Sequence, residues 1–513
     1  MTFRHSVGGL STAAVGVVAI AFMVWLPRPA IPLIDGDIWW HLRAGEEVLN
    51  TGRVPSTDTW SIAGNGLPWT SQDWLSNAVV AATYRMGELG PTALSVGFSL
   101  LVMLAAYILW RGIGLRRPGT SWLSRLLWLT AGITVAGPVL GVRIQVIDLP
   151  LAAAALVVCW HYLARHRQLV LGWLPIIAVA WANLHAGWLL LFLLGGAVIV
   201  GEAIDRILVL RRSVAPEPLA WRQLGWLAAA LVASAAVISV NPSGPALYLY
   251  PLETASIAAH RDFLAEWSPP DIATLPGQLF VSYVVLGVVP ALALGWRRMR
   301  AADALVLVGL TVMGATAARF LLVVGPIGLA IVAFTLTPVI AETDLGRQLA
   351  PRVERMARPP RRGAAASVNL ALAGILAAVG VGITMARVSP AVQRSAIGEH
   401  MPVRAVDWIV ANEPGDRPFN TYAWGGYLGF ERPGTLVYID GRSDIYGDAP
   451  IRAYADAISL RANPQMLLDH GEIDHVLFNT DHPFAEWLDE NPAWTRAYSD
   501  EQASVWVRPG RGP

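Results

Sequence analysis

Two aspartates one residue apart, Asp35 and Asp37, stand in the stretch Pro32-Leu-Ile-Asp35-Gly-Asp37-Ile-Trp39-Trp40-His41, directly after the first apolar run of the chain. Carboxylates so placed suit removal of a proton from a hydroxyl nucleophile, a step that a positioned base speeds by roughly 10²–10⁴-fold. Asp37 is the candidate base and Asp35 its support. The pair could also share a divalent cation, Mg or Mn, which take oxygen ligands. A plainer explanation stands beside these: aspartate is a favoured helix N-cap, and a helical pattern starts at Ile38. His41, Trp39 and Trp40 are candidates for contact with an acceptor or a sugar ring. With Trp60, Trp69 and Trp74, the two tryptophans also fit a belt at a membrane interface, the plainer of their two readings.

Further along, charged residues interrupt apolar sequence. Arg143, in Gly141-Val-Arg143-Ile-Gln145, and Arg319, in Ala318-Arg319-Phe320, do so most sharply. An arginine in a membrane span costs roughly 2.5–3.5 kcal/mol on insertion scales, so it keeps company with a partner or a water-filled cavity. A guanidinium matches phosphate, which makes both candidates for a lipid-linked phosphate; snorkelling to headgroups is the alternative. His185, in Trp181-Ala-Asn183-Leu-His185, is a third candidate for that phosphate, although a lone membrane histidine is ordinarily a packed one. Asp73, in Gln72-Asp73-Trp74, and Glu266, in Ala265-Glu266-Trp267, add carboxylates for acceptor hydroxyls or a cation.

These residues need a frame, and the composition names it. At 54% hydrophobic, 15% charged and mean hydropathy +0.47, the chain is not an ordinary soluble protein. It reads as a polytopic α-helical membrane protein of about eleven spans, near 10–26, 91–111, 122–141, 146–164, 169–184, 187–208, 223–240, 278–296, 302–318, 320–339 and 367–386. The first run could pass for a signal peptide but lacks a small-residue cleavage site, so it reads as a retained span. All 38 basic residues other than histidine are arginines. Those clustered between the spans fall in every second connection: Arg111, Arg116 and Arg117; Arg165 and Arg167; Arg206, Arg211 and Arg212; Arg297, Arg298 and Arg300; then Arg347 to Arg362. By the positive-inside rule these connections are cytoplasmic, as is the N-terminus, in a plasma (inner) membrane. The outward pieces are 27–90, 241–277 and the tail from 387. Residues 1–386 then form the membrane domain.

Residues 387–513 change character and read as an outward, extracytoplasmic α/β domain. Thr435-Leu-Val-Tyr-Ile439 and His475-Val-Leu-Phe478 read as strands, Val403–Asn412 as a helix, and Ala503-Ser-Val-Trp-Val507 as an edge strand. In the first outward loop, Ile38–Asn50 and Ser71–Met86 are amphipathic. The motif Tyr438-Ile-Asp440-Gly-Arg442-Ser-Asp444-Ile-Tyr446-Gly-Asp448 reads as a turn held by Asp/Arg hydrogen bonds. The stretch from Arg352 to Arg362 reads as a linker that need not be ordered, and Cys159 as a core residue.

An acidic pair opening a long outward loop, interfacial helices, about ten further spans and an outward α/β tail together resemble the GT-C superfamily of membrane glycosyltransferases. The stretch Asp35-Gly-Asp37-Ile-Trp39-Trp40-His41 is similar to the acidic first-loop motif of that superfamily. Asn420-Thr-Tyr-Ala-Trp424-Gly-Gly-Tyr427 is more distantly similar to the outward domain of the oligosaccharyltransferase catalytic subunit, with two glycines where an acidic residue follows the tryptophans. The resemblance implies transfer of a sugar from a polyprenyl-phosphate sugar to a glycan, lipid or protein acceptor at the outer membrane face, with inversion and an aspartate base. Nucleic acid is not an expected partner. A transporter of an anionic or lipid-linked substrate and a non-catalytic membrane assembly subunit are the alternatives; transporters often carry paired half-repeats, and the sequence has no internal repeat.

Overall fold

The computed structural model describes residues 10–208, 217–360 and 364–509; Arg211, Arg212, Arg361 and Arg362 lie outside them. Helices occupy each of the eleven apolar segments. Among the described residues six are long and apolar enough to cross a membrane: Gly87–Arg116, Ile144–Arg165, Ala186–Ile207, Leu275–Gly295, Ala318–Ala341 and Ala365–His400. The chain is a multi-pass membrane protein. Every residue from Leu321 to Leu336 is buried, as expected of a helix that is apolar all round and sits at the centre of its bundle.

The basic connections collect at one end of this bundle. Arg116 pairs with Asp303 at 2.6 Å, Arg117 donates to the Arg298 carbonyl at 3.0 Å, Arg298 pairs with Glu342 at 2.6 Å and Arg300 with Glu202. The same helices carry the candidate chemistry at their other ends. Asp148–Arg165, for instance, a helix of 18 residues, has its aspartate at one terminus and its arginine at the other, roughly 25 Å away at 1.5 Å per residue. The segment from Arg352 is more ordered than expected: Asp344–Ala357 is a helix, started by the Thr343 hydroxyl, which accepts from the Gly346 amide.

The first loop contributes helix α1 (Asp37–Thr51), ended by Gly52 in the left-handed region, and helix α2 (Trp74–Tyr84). In the tail, Val403–Asn412 is helical with Ala405, Val406 and Ile409 buried, and α3 (Gly425–Glu431) follows. The tail sheet has strands β1 (Pro418–Asn420), β2 (His475–Asn479), β3 (Thr495–Ser499) and β4 (Ala503–Val507) in the order β1-β2-β4-β3. The β1/β2 pair is parallel and the others antiparallel, with Val476 opposite Trp506.

Two strand expectations are corrected here. Ala503–Val507 is an inner strand, buried along its length, because β3 covers its outer side. Thr435–Ile439 joins no sheet strand. Its extended backbone bridges Ser61 through Val437, and the Ile62 and Ala63 amides donate to the Val437 and Tyr438 carbonyls at 2.8 and 3.1 Å.

The first loop and tail therefore interlock, and Arg442 pins the joint. Fully buried, it pairs with Asp440 at 2.7 Å and with Asp58 of the first loop at 2.9 Å. Its guanidinium lies over the adjoining rings of Trp60 and Trp69, 4.6 and 4.8 Å from their centroids. The Asp/Arg turn expected around Arg442 is present, and it reaches across to the first loop as well.

Candidate active site

At the end of the bundle away from the arginine-rich connections lies a cavity of about 960 Å³. Asp35, Asp37, Trp40, His41, Asp73, Arg143, His185, Glu266 and Arg319 all line it; Trp39 does not. Sequence positions from the two long loops 27–90 and 241–277, three helix ends and the tail thus meet at one place.

Local backbone chemistry fixes the acidic pair. The Asp37 amide donates to Asp35 Oδ1 at 2.9 Å, so the start of α1 is satisfied by Asp35 rather than by the Asp37 carboxyl. This corrects the capping reading of Asp37. The other Asp35 oxygen accepts from Arg143 Nε. Two tail segments close over the pair. A Cβ on Gly36 would strike the Ala423 carbonyl, and one on Gly441 would strike Asp37 Oδ1, so only glycine permits either approach. Burial first, then the negative charges of Asp35 and Glu266, raises the Asp37 carboxyl well above the ordinary carboxylate range, with Arg143 acting in the opposite sense.

The guanidiniums are held rather than snorkelling. Arg143 donates to Glu266 Oε2 at 2.7 Å, and Arg319 sits 3.6 Å from Glu266 Oε1. Arg319 also donates to Gln145 Oε1 at 3.2 Å and lies over the Trp267 ring at 4.2 Å. Glu266 therefore spans both cations. Gln145, which the sequence reading passed over, keeps its amide nitrogen without a partner.

His185 Nδ1 lies 2.9 Å from Asp148 Oδ1, an oxygen that also accepts from Trp181 at 2.7 Å. A phosphate at His185 would face that carboxylate. His41 Nδ1 contacts Asn77 Oδ1 at 2.7 Å and Asp73 Oδ2 at 3.2 Å. Burial raises the Asp73 carboxyl, but the His41 hydrogen bond and charge outweigh it and leave it below its ordinary value.

The tail supplies a wall the sequence reading did not assign. Tyr422, Gly441, Ser443 and Asp444 line the cavity. Tyr250 accepts from Gln72 Nε2 at 3.1 Å and donates to Asp444 Oδ2 at 3.1 Å. Burial, then the charge of Asp73, pushes the Asp444 carboxyl up to about 6.

The tryptophan belt is also corrected. Trp39 is 1% exposed and packs edge-on against Tyr427 of α3 at 4.7 Å, so it meets neither acceptor nor headgroup. Trp60 and Trp69 are buried around Arg442, and Trp74 donates to Asn183 at 2.8 Å. A cation at Asp35 and Asp37 would compete with protein groups already in place. Both Asp35 oxygens are engaged, and Arg143 already supplies the positive charge. Among the described residues no group of three or more His, Cys, Asp or Glu is placed to hold a metal ion.

No family model and no curated relative matches the sequence. Solved structures do. The archaeal oligosaccharyltransferase AglB from Archaeoglobus fulgidus, in complex with an inhibitory peptide and a dolichol-phosphate, matches with a TM-score of 0.59 at 11% identity, covering 97% of this chain and 74% of its own. ArnT from Cupriavidus metallidurans, bound to undecaprenyl phosphate, matches with a TM-score of 0.50 at 14% identity, covering 97% and 98%. The Archaeoglobus enzyme in complex with zinc and sulfate matches at 0.50 and 10% identity, covering 97% and 73%.

Proposed function

We propose that this chain, which has the GT-C fold of those two membrane glycosyltransferases, transfers a sugar from a polyprenyl-phosphate donor to an acceptor hydroxyl. The observation that carries the reading is the meeting of an uncommitted carboxylate, Asp37, with Arg143 and Arg319 in one cavity. Its apolar side includes Leu189 and Leu193, both exposed, and Phe320, which suits an isoprenoid chain. That convergence supports an enzyme over the transport and assembly readings, neither of which calls for a base beside two phosphate-binding cations.

Asp37 takes the acceptor proton as the oxygen attacks the anomeric carbon. The bond from that carbon to the phosphate oxygen breaks, and polyprenyl phosphate leaves with the electron pair. Arg143 and Arg319 stabilise the charge that grows on the departing phosphate. Asp35 orients Arg143 and the first turn of α1. One displacement with one base inverts the anomeric configuration. His185, tied to Asp148, is given no phosphate role. Arginine-rich ends on one side and the cavity on the other support an outer-face site, a cytoplasmic N-terminus and a plasma-membrane location.

The test is protein in lipid nanodiscs incubated with a panel of radiolabelled polyprenyl-phosphate sugars. One label should leave its lipid with wild type and stay on it with Asp37→Asn. Release from no member of the panel, or equal release by the variant, would overturn the assignment.

A further inference from the structure

We infer that the acceptor is a hydroxyl-rich glycan without negative charge, and that Asp444 of the tail selects it. This rests on the transfer reaction proposed above and names its second substrate.

The cavity is electrically two-sided. Both guanidiniums belong to the side held by Asp35 and Glu266. The other side is built from Trp40, Gln72, Asp73, Tyr250, Tyr422 and Asp444, with no arginine among them. Its one basic neighbour in the first loop, His41, is occupied by Asp73 and Asn77; Asp148 and His185, also lining, hold each other. A phosphate or carboxylate on the acceptor would meet Asp73, Asp444 and Asp148; the remaining histidine of the lining, His260, packs on Trp267 and is held toward its neutral form by burial. Like charges brought together in this way reject a partner.

The same wall suits hydroxyls. Asp444 Oδ2 and Tyr250 are joined at 3.1 Å, as are Tyr250 and Gln72, so carboxylate, phenol and amide from three distant segments form one continuous polar strip. Trp40 lines the cavity, and its indole N–H is buried without a partner against Gly441. Trp40 and Tyr422 add ring faces. Alternating acceptors, donors and aromatic faces are what a sugar presents surfaces to, and Asp444 is the tail's charged contribution.

The test compares binding of three saccharide probes to protein in zwitterionic nanodiscs: neutral chitotriose, its cationic deacetylated trimer and anionic trigalacturonate. Wild type should bind the neutral and cationic trimers at least about tenfold more tightly than the anionic one. Asp444→Asn should shrink that difference at least about threefold and Asp444→Glu restore it, with undecaprenyl phosphate affinity unchanged within about twofold. Equal binding of trigalacturonate, binding of no saccharide by a protein that binds undecaprenyl phosphate, or an unchanged ratio in Asp444→Asn would overturn the inference. Wild type that binds the trimers as described but not undecaprenyl phosphate would sink the transfer reaction and leave the saccharide site standing.

Discussion

The amide of Asp37 donates to the carboxylate of Asp35 at 2.9 Å, so one aspartate closes the helix start and leaves the side chain of the other out of that task. Asp37→Asn should therefore lower sugar transfer by roughly 10²–10⁴-fold while leaving the melting temperature in nanodiscs no lower than wild type, because a buried charge is removed. Asp35→Ala should behave differently. Loss of the turn costs about 1 kcal/mol, and Arg143 is left with Glu266 alone, so both melting temperature and donor affinity fall.

The raised Asp37 carboxyl predicts a pH profile. A protonated base cannot accept the acceptor's proton, so transfer should fall on acidification with a midpoint above the ordinary aspartate value of 3.8. Stability has the opposite slope. A carboxyl that binds its proton more tightly when folded loses stability as pH rises from its unfolded toward its folded value. For Asp444 that window runs from 3.8 to about 6. Melting curves across it should flatten in Asp444→Asn, and a slope unaltered by the substitution would contradict the assignment.

Glu266 bridges Arg143 and Arg319, the two guanidiniums proposed to hold the donor phosphate. The ion must displace it, so Glu266→Gln should bind undecaprenyl phosphate more tightly than wild type, by about tenfold for each 1.4 kcal/mol of competition removed. Arg143→Ala and Arg319→Ala should bind it more weakly. Titration in nanodiscs separates the two directions, and weaker binding by Glu266→Gln would refute the competition.

Arg442→Ala leaves Asp58 and Asp440 buried without their cation. Removing one partner of a buried pair costs about 3–5 kcal/mol, and here the loss falls on the joint between first loop and tail. Limited proteolysis should release the tail from Arg442→Ala under conditions that leave wild type intact. Resistance equal to wild type would show that the joint is held elsewhere.

Much of this was legible in residue order. Arginine alternation marked the ends of the bundle, and an arginine at 143 or 319 in apolar sequence is a signal in its own right. By the same rule Asp148, between Ile147 and Leu149, could have been found and was passed over. Tyr250 and Tyr422 carry no local mark, since their role depends on contacts such as Tyr250 to Asp444, 194 positions apart; Asp444 stands in the polar motif around Arg442, the part of the tail where an acceptor contact is to be sought. The tryptophans misled for a physical reason. An indole suits a membrane interface and a buried joint alike, and only the tail, by covering Trp39, Trp60 and Trp69, decides between them. The inner place of Ala503–Val507 likewise depends on a partner strand that periodicity does not name.

The joint between Asp58 and Arg442 also sets a clock on assembly. Its halves lie 384 residues apart, so at 5–20 residues per second a ribosome needs on the order of 20–80 s after making the first before it makes the second. Through that interval the base has no lid from Gly441 and its pocket no far wall. On the reaction proposed above, a newborn chain should therefore leave lipid donors untouched until its last quarter folds back and supplies that wall.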